Sequence, residues 1–187
     1  MPVPSRSSSS AFRKEPHLSS VKLSFKVGDK LVYPNHGVTV VEHIGESPIM
    51  PTGDSYYHLR LLATNSRLMV PITNTDRVGL RRLYQQKEIK GLMGLLEEKP
   101  VKTHSDWKGR YRDNLERMKT GRLEDVAEVL KNLHEVQKKK SLSFREKKMY
   151  DRAKYLIVSE VAIVKNMPEP EAEKVIIKSL EKALGGH

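Results

Sequence analysis

Residues 25–46 read FKVGDKLVYPNHGVTVVEHIGE, and this stretch decides the fold of the N-terminal half of the chain. Apolar and polar residues alternate in two short runs, 30–33 and 38–44, which is typical of half-buried β-strands. A Pro-Asn-His-Gly turn at residues 34–37 separates the runs, so the two strands are expected to pair antiparallel. The sequence therefore predicts a β-rich module that begins near Phe25.

Two further runs extend this module, at residues 56–62 and 67–72, with a polar turn at 63–66 between them. Four or five short strands joined by such short turns predict a small antiparallel barrel or curled sheet of the SH3 or Tudor type. A sheet this small leaves an edge strand that can pair with another chain.

After residue 78 the apolar pattern takes a helical period. Helices are expected over about 83–98, from an N-cap at Ser105 to Gly121, from 123 into the lysines at 138–140, from a capping box at Ser143 and Glu146, and from Pro168 onwards. The predicted fold class is α+β in two domains, an SH3/Tudor-like β module (25–80) and a compact all-α bundle of about five helices (81–187). Residues 1–24 contain eight Ser and three Pro and are predicted to be a disordered tail.

The positive charge of the chain is concentrated in one segment. The formal net charge is +11. Residues 99–154 contain seventeen basic and nine acidic residues, whereas residues 25–80 contain five of each sign. Such a localised excess favours a nucleic-acid-binding face. A solvated helical surface that is rich in lysine is the alternative.

Several function classes find no support in the sequence. The chain has no cysteine, which excludes disulfides, thiolate metal sites and cysteine nucleophiles. No phosphate-binding loop, G-x-S-x-G or H-E-x-x-H motif is present, and the spacing of His36, His43 and His58 matches no metal template. We therefore expect no enzyme activity, cofactor or metal. With no apolar run of 18 residues, no membrane span is expected, and the predicted location is the cytoplasm, in association with the nucleoid.

One segment combines the single tryptophan with cations. Residues 105–115 read SDWKGRYRDNL, so Trp107 is followed by three cations within five positions. Cations can neutralise phosphates, and a flat aromatic beside them can stack on a base or wedge into a base step. Trp107 also shares a helical stripe with Tyr111, Leu115 and Met118, which favours a core anchor. Its place in the first helical turn keeps both interpretations open.

A second basic set surrounds the next helix connection and is either a solvated face or an extension of the Trp107 surface. Its members are Lys138, Lys139, Lys140, Arg145, Lys147, Lys148 and Arg152.

Three stretches of sequence carry a family resemblance. The opening FKVGDKLVYPNHGV, the LMVP of residues 68–71 followed by VGLR at 78–81, and the Trp107 segment followed by residues 123–133 together resemble the CarD/CdnL family of bacterial transcription regulators. The likeness covers roughly residues 24–184 in one order. Part of it is shared with the polymerase-interacting module of the transcription-repair coupling factor.

The resemblance implies a two-part function. The β module would bind the β subunit of bacterial RNA polymerase, and the helical domain would place Trp107 as a wedge in the minor groove of promoter DNA at the upstream edge of the melted bubble. The implied phosphate contacts are Arg110, Arg112, Lys147 and Lys148. The implied polymerase-facing residues are Leu59, Leu68, Met69, Val70 and Pro71.

This sequence departs from the family pattern at two positions. Gly109 stands where some relatives have a cation, which weakens the case for a DNA contact there. Met69 stands where an arginine occurs in some relatives, which makes the implied polymerase contact more apolar than ionic.

The leading hypothesis is a polymerase-bound, monomeric regulator that stabilises the open promoter complex. An architectural DNA-binding protein that acts without polymerase is one alternative, and a basic adaptor that only bridges proteins is another.

Overall fold

The computed structural model describes residues 24–47, 53–100 and 104–185 and has an α+β fold. The predicted tail, apart from Ser24, lies outside the described residues. The N-terminal part is a five-stranded antiparallel sheet in the order β4-β3-β2-β1-β5. The strands are β1 Lys30–Tyr33, β2 Gly37–Glu46, β3 Ser55–Leu61, β4 Arg67–Pro71 and β5 Arg81–Arg82.

The four longer strands confirm the predicted β runs, whereas β5 was not predicted. This two-residue strand pairs Arg82 with Leu31 and Arg81 with Val32, so the sheet continues past residue 80. A 3-10 turn over Ile72–Asn74 and the one-turn helix α1 (Thr75–Val78) lead the chain from β4 to β5. The strands β4 and β5 therefore form the two edges of the sheet.

The core of the sheet is built from alternate residues of the strands. In β3, Tyr57 and Leu59 point inward and are almost fully buried, while His58 and Arg60 lie on the opposite face. Val41 of β2 and Val70 of β4 pack in the same apolar cluster. The opposite face of β2, β3 and β4, which carries His58 and Arg60, lies outside this core.

Five longer helices follow the sheet and form the predicted bundle. They are α2 Gln86–Glu97, α3 Trp107–Lys119, α4 Leu123–Lys139, α5 Phe144–Lys165 and α6 Glu169–Ala183. Helix α4 packs against α2, α3 and α5 and contributes fully buried side chains such as Leu130 and Leu133 to the core. No helix within the described ranges combines the length and the apolar character needed to cross a membrane.

The helix starts show which capping predictions hold. At α5 the Glu146 amide donates to Ser143 Oγ, at 3.3 Å, and the Ser143 amide donates to the Glu146 carboxylate, at 3.1 Å, which confirms the predicted capping box. At α3 the prediction is off by one residue. The cap is Asp106, whose carboxylate accepts the Gly109 amide at 2.7 Å, and not Ser105.

The β1–β2 turn lies directly against the helical bundle. Gly37 has a φ of 96°, and a Cβ atom added there would lie 3.2 Å from the Tyr155 ring on α5. A Cβ on Gly121, between α3 and α4, would lie 2.8 Å from the Pro34 ring. An ion pair between Arg81 and Glu160 joins the same two parts. The sheet is thus held against the bundle by close packing and by charge.

Candidate nucleic-acid interface

Trp107 is the first residue of α3 and is 42% exposed. The interpretation of Trp107 as a core anchor is therefore wrong. Further along the predicted stripe, Met118 is buried and Tyr111 is half-buried against the core, whereas Leu115 is exposed. The buried residues of α3 are Arg110, Asn114 and Met118. The buried side of α3 thus combines Met118 with two polar residues, and Trp107 lies on an accessible flank.

Arg110 explains why a charged residue lies on the buried side of α3. Only 3% of the residue is exposed, and its Nε and Nη2 atoms donate to Glu146 Oε1 at 3.2 and 2.8 Å. Its Nη1 atom donates to the carbonyls of His104, at 3.1 Å, and Ser105, at 2.7 Å. A guanidinium satisfied in this way is not available to phosphate, which corrects the sequence-based expectation. Arg110 instead fixes the start of α3, and with it Trp107, against the start of α5.

The carboxylate of Glu146 receives four hydrogen bonds, two from Arg110 and two from Ser143. Burial alone would raise its pKa, but the hydrogen bonds from Arg110 and Ser143 outweigh burial and hold the pKa of Glu146 below its ordinary value. The carboxylate is therefore charged at neutral pH, as the buried guanidinium requires.

The other three implied phosphate contacts lie on the surface. Arg112 has a side chain that is 75% exposed and only a loose contact of 3.9 Å with Asp113. Lys147 is 62% exposed and lies 3.7 Å from Asp151, one turn along α5. Lys148 is exposed, and its ammonium lies 4.6 Å from the centroid of the Phe144 ring. All three can reach an anionic partner.

Gly109, the first departure from the family pattern, is packed against His104. A Cβ atom added to it would lie 2.8 Å from His104 Cγ. A longer residue at position 109 would require the His104 side chain to move, so the local packing matches the glycine found there.

Exposed aromatic rings and cations occur together on this side of the bundle. Phe144, the first residue of α5, is 74% exposed, which makes it a second accessible ring at a helix start beside Trp107. Cations lie within 6 Å of four rings, a range in which cation–π attraction operates. The pairs are Lys108 with Trp107, Arg145 with Tyr111, Lys148 with Phe144 and Arg152 with Tyr155.

Three members of the second basic set form a row on one face of α5. Arg145, Lys148 and Arg152 are spaced i, i+3 and i+7, which places them on one side of α5. That spacing is visible in the sequence and could have identified the row. The exposure of Phe144 carries no comparable signal, because a phenylalanine in an amphipathic helix usually faces a core.

The implied polymerase-facing residues divide into two groups. Leu59 and Val70 are 1% and 3% exposed and belong to the sheet core, so their side chains are not available to a partner, although Val70 lies on the edge strand β4. Met69 is 37% exposed, and Leu68 and Pro71 are half-buried. These three residues lie on β4, whose outer backbone edge is unpaired in the sheet.

A surface groove of about 450 Å³ borders β4. His43, His58 and Met69 occupy matched positions on β2, β3 and β4 and line it. Its rim includes Glu42, which accepts hydrogen bonds from Arg60 at 2.6 Å and Arg67 at 3.1 Å. The groove therefore combines apolar residues and two histidines with a cluster of one glutamate and two arginines, a mixture that suits a protein partner. Among the residues that the structure describes, no three His, Asp or Glu side chains are grouped so that they could hold a metal ion.

Comparison with known proteins finds a family match for each of the two parts of the chain. Residues 25–84 match the model of the CarD-like/TRCF RID domain, and residues 91–177 match the model of the CarD C-terminal domain. The candidate transcription factor YdeB of Bacillus subtilis strain 168 is 31% identical over 147 residues, which cover 79% of this chain and 96% of that protein. The chain belongs to the CarD family. Trp107 and the α5 cations lie within the CarD C-terminal domain, and β4 lies within the CarD-like/TRCF RID domain.

Proposed function

We propose that this CarD-family protein docks on the β subunit of RNA polymerase through the β4 edge and stabilises the open promoter complex by inserting Trp107 at the upstream edge of the bubble. Family membership supports a role in transcription regulation rather than in catalysis. The observation that carries the finer proposal is the exposure of Trp107 at the start of α3, beside cations that are free to bind phosphate.

The DNA side of the proposal rests on rigidity as well as exposure. Trp107 lies three residues before Arg110, whose buried bonds to Glu146 fix the first turn of α3. A helix start that is already fixed lowers the conformational entropy that the segment loses on binding. Arg112, Lys147 and Lys148 supply a sequence-independent attraction for the backbone of DNA.

The polymerase side rests on the open edge of the sheet. Strand β4 offers unpaired backbone groups along five residues, and Met69 provides an exposed apolar anchor beside them. Strand addition at such an edge supplies affinity through main-chain hydrogen bonds, and the flanking side chains supply specificity. The β module carries no net charge, so the electrostatic attraction to DNA falls to the helical domain.

Insertion of a ring costs less at a base step that is already unstacked than in an intact duplex. The protein therefore favours the open state by its differential affinity for the two states. Stacking of one base on an aromatic ring contributes about 1–3 kcal/mol. Since about 1.4 kcal/mol corresponds to a factor of ten, the open-to-closed ratio should rise roughly tenfold.

The test measures the lifetime of the open complex formed by RNA polymerase on a supercoiled promoter, with the wild-type protein and with Trp107→Ala. We expect the wild type to lengthen the lifetime and Trp107→Ala to lose most of this effect while it still binds polymerase. Lys174→Glu is the control, because Lys174 is an exposed cation on α6, outside the Trp107 surface.

Two results would contradict the proposal. An unchanged lifetime with a polymerase-bound Trp107→Ala protein would exclude the wedge. An effect on DNA melting that persists without any binding to polymerase would favour an architectural DNA-binding protein instead.

A further inference from the structure

A groove of about 280 Å³ runs between α3 and α5, and the function proposed above uses only Lys148 of its lining. Its apolar lining comes from Tyr111, Leu115, Met118 and Met149. Tyr111, which is half-buried, and the exposed Leu115 lie one and two turns along α3 from Trp107, on the same side of the helix. The groove is therefore continuous, along the helix, with the surface that carries the exposed tryptophan.

Cations line the α5 side of this groove. Arg145, Lys148 and Arg152 all border it, and within the described ranges none of them forms an ion pair with a carboxylate. The Arg152 guanidinium donates to the carbonyl of Asn35, in the β1–β2 turn, which also borders the groove. Three positive charges thus border an apolar floor without an acidic residue to balance them.

Four other surface cavities differ in this respect, because each has at least one glutamate in its lining. These residues are Glu169, Glu42, Glu160 and Glu173. The absence of an acid from the α3–α5 groove therefore distinguishes it from these cavities, and the complementary ligand is an anion with an apolar, planar part.

We propose that the α3–α5 groove binds an unstacked nucleotide of single-stranded DNA. The base would lie against Tyr111 and Leu115, and the adjoining phosphates would bind Arg145, Lys148 and Arg152. The inference rests on the proposed function, because the strand that separates at the edge of the bubble supplies such nucleotides next to Trp107.

The size and chemistry of the groove favour a single strand over a duplex. Its volume lies near the lower end for small-ligand pockets, which begin at about 300 Å³, so one base fits and a stacked helix does not. Proteins that bind single strands without sequence preference combine aromatic rings with a cationic groove, as the residues here do. The Arg145 guanidinium is 6.0 Å from the Tyr111 centroid, at the outer limit of a cation–π contact, so this pair is loose.

The test uses the full chain and two DNA probes that share one duplex sequence. One probe is blunt, and the other carries about six unpaired nucleotides at one end, within the range that single-strand sites cover. Fluorescence anisotropy gives Kd for each. We expect the wild type to bind the tailed probe roughly tenfold more tightly, which corresponds to one stacked base of about 1.4 kcal/mol.

The variants Leu115→Glu and Arg145→Glu should reduce this ratio to near one. Both residues are exposed, so the fold should tolerate the changes, and circular dichroism checks that it does. Lys174→Glu alters the net charge by the same amount as Arg145→Glu. It should weaken the binding of both probes equally and leave the ratio of the two Kd values unchanged. A wild-type ratio of one, or a ratio that Leu115→Glu leaves unchanged, would overturn the inference.

The outcome separates this inference from the proposed function. A wild-type protein that prefers the tailed probe through Leu115 but does not prolong the open complex would support the groove and contradict the function. A protein that prolongs the open complex through Trp107 but shows no tail preference would contradict the groove alone.

Discussion

Arg81 and Glu160 form a bidentate ion pair between the last strand of the sheet and helix α5. The two guanidinium–carboxylate distances are 2.8 and 2.9 Å, and Glu160 is 1% exposed. The same carboxylate accepts the backbone amide of Tyr84 at 2.8 Å, and Arg81 Nε donates to the Gly121 carbonyl at 3.1 Å. The Glu160 side chain therefore connects helix α5 to the last strand of the sheet and to the segment that leads into α2.

Removal of this carboxylate should destabilise the whole chain. Glu160→Ala leaves the largely buried Arg81 guanidinium without its ion-pair partner and the Tyr84 amide without an acceptor. Breaking one side of a buried ion pair costs about 3–5 kcal/mol, and we expect a loss near the lower value because Arg81 retains some solvent contact. Urea unfolding followed by circular dichroism measures the change.

The control for this prediction is Glu42→Ala. Like Glu160, Glu42 forms ion pairs with arginine, in its case with Arg60 and Arg67. Its side chain is 30% exposed, however, and the Arg67 side chain is 80% exposed. Surface pairs of this kind contribute little to stability, because solvent and salt screen them. Equal losses from the two variants would show that burial of Glu160 has no special importance.

Trp107→Ala should leave the fold nearly as stable as the wild type. Because the ring is 42% exposed, its removal creates no closed cavity, and we expect a change below about 1 kcal/mol in the free energy of unfolding. Leu130→Ala, in the fully buried core of α4, should cost about 2–5 kcal/mol. A cost for Trp107→Ala that approaches the Leu130→Ala value would restore the core-anchor interpretation.

The Arg110–Glu146 pair should make stability depend on pH. The pKa of Glu146 is lower in the folded protein than its ordinary value of 4.5, so the charged carboxylate stabilises the fold above that pH. This contribution is lost as the pH falls through the lowered pKa. The difference in unfolding free energy between wild type and Glu146→Gln should therefore be largest at pH 7 and shrink below about pH 4.5.

Unfolding curves at several pH values measure this dependence. Glu116→Gln serves as the control, because Glu116 forms an exposed pair with Lys119. A constant difference between wild type and Glu146→Gln across the acidic range would rule out the pair as its source.

Met69→Glu should weaken binding to RNA polymerase without a loss of stability. The side chain is 37% exposed on an edge strand, so a carboxylate there remains hydrated in the free protein but loses water at an apolar interface. We expect at least a tenfold rise in Kd, measured by biolayer interferometry with the β subunit. Val27→Glu, at a more exposed apolar residue before β1, should have little effect.

The local rules of strands and helix caps succeeded wherever neighbouring residues decide the structure. The alternation in residues 30–44 predicted β1 and β2, and the Ser143–Glu146 capping box marked the start of α5. The same alternation in β3 places Leu59 inward with Tyr57, which an edge-contact interpretation overlooked.

Prediction failed where a contact distant in sequence overrides the local pattern. The apolar stripe of α3 suggested that Trp107 faces the core, yet the buried side contains Arg110. That arrangement depends on Glu146, which lies 36 positions away and carries no sequence signal beyond its capping role. Strand β5 depended likewise on pairing with β1 across about 50 residues, which no short-range period records.

The bond between Arg81 and Glu160 also determines how the two proposed binding sites cooperate. When two binding sites are joined by a flexible linker, binding at the first site leaves the second free to move, and the effective concentration of the second site falls as the linker lengthens. Here the ion pair joins the sheet that contains β4 to the bundle that contains Trp107. Docking on polymerase through β4 would therefore present the Trp107 ring at a single distance and angle. We expect such a protein to act only at promoters whose separating bases lie at the distance from the docked β4 edge that Trp107 reaches.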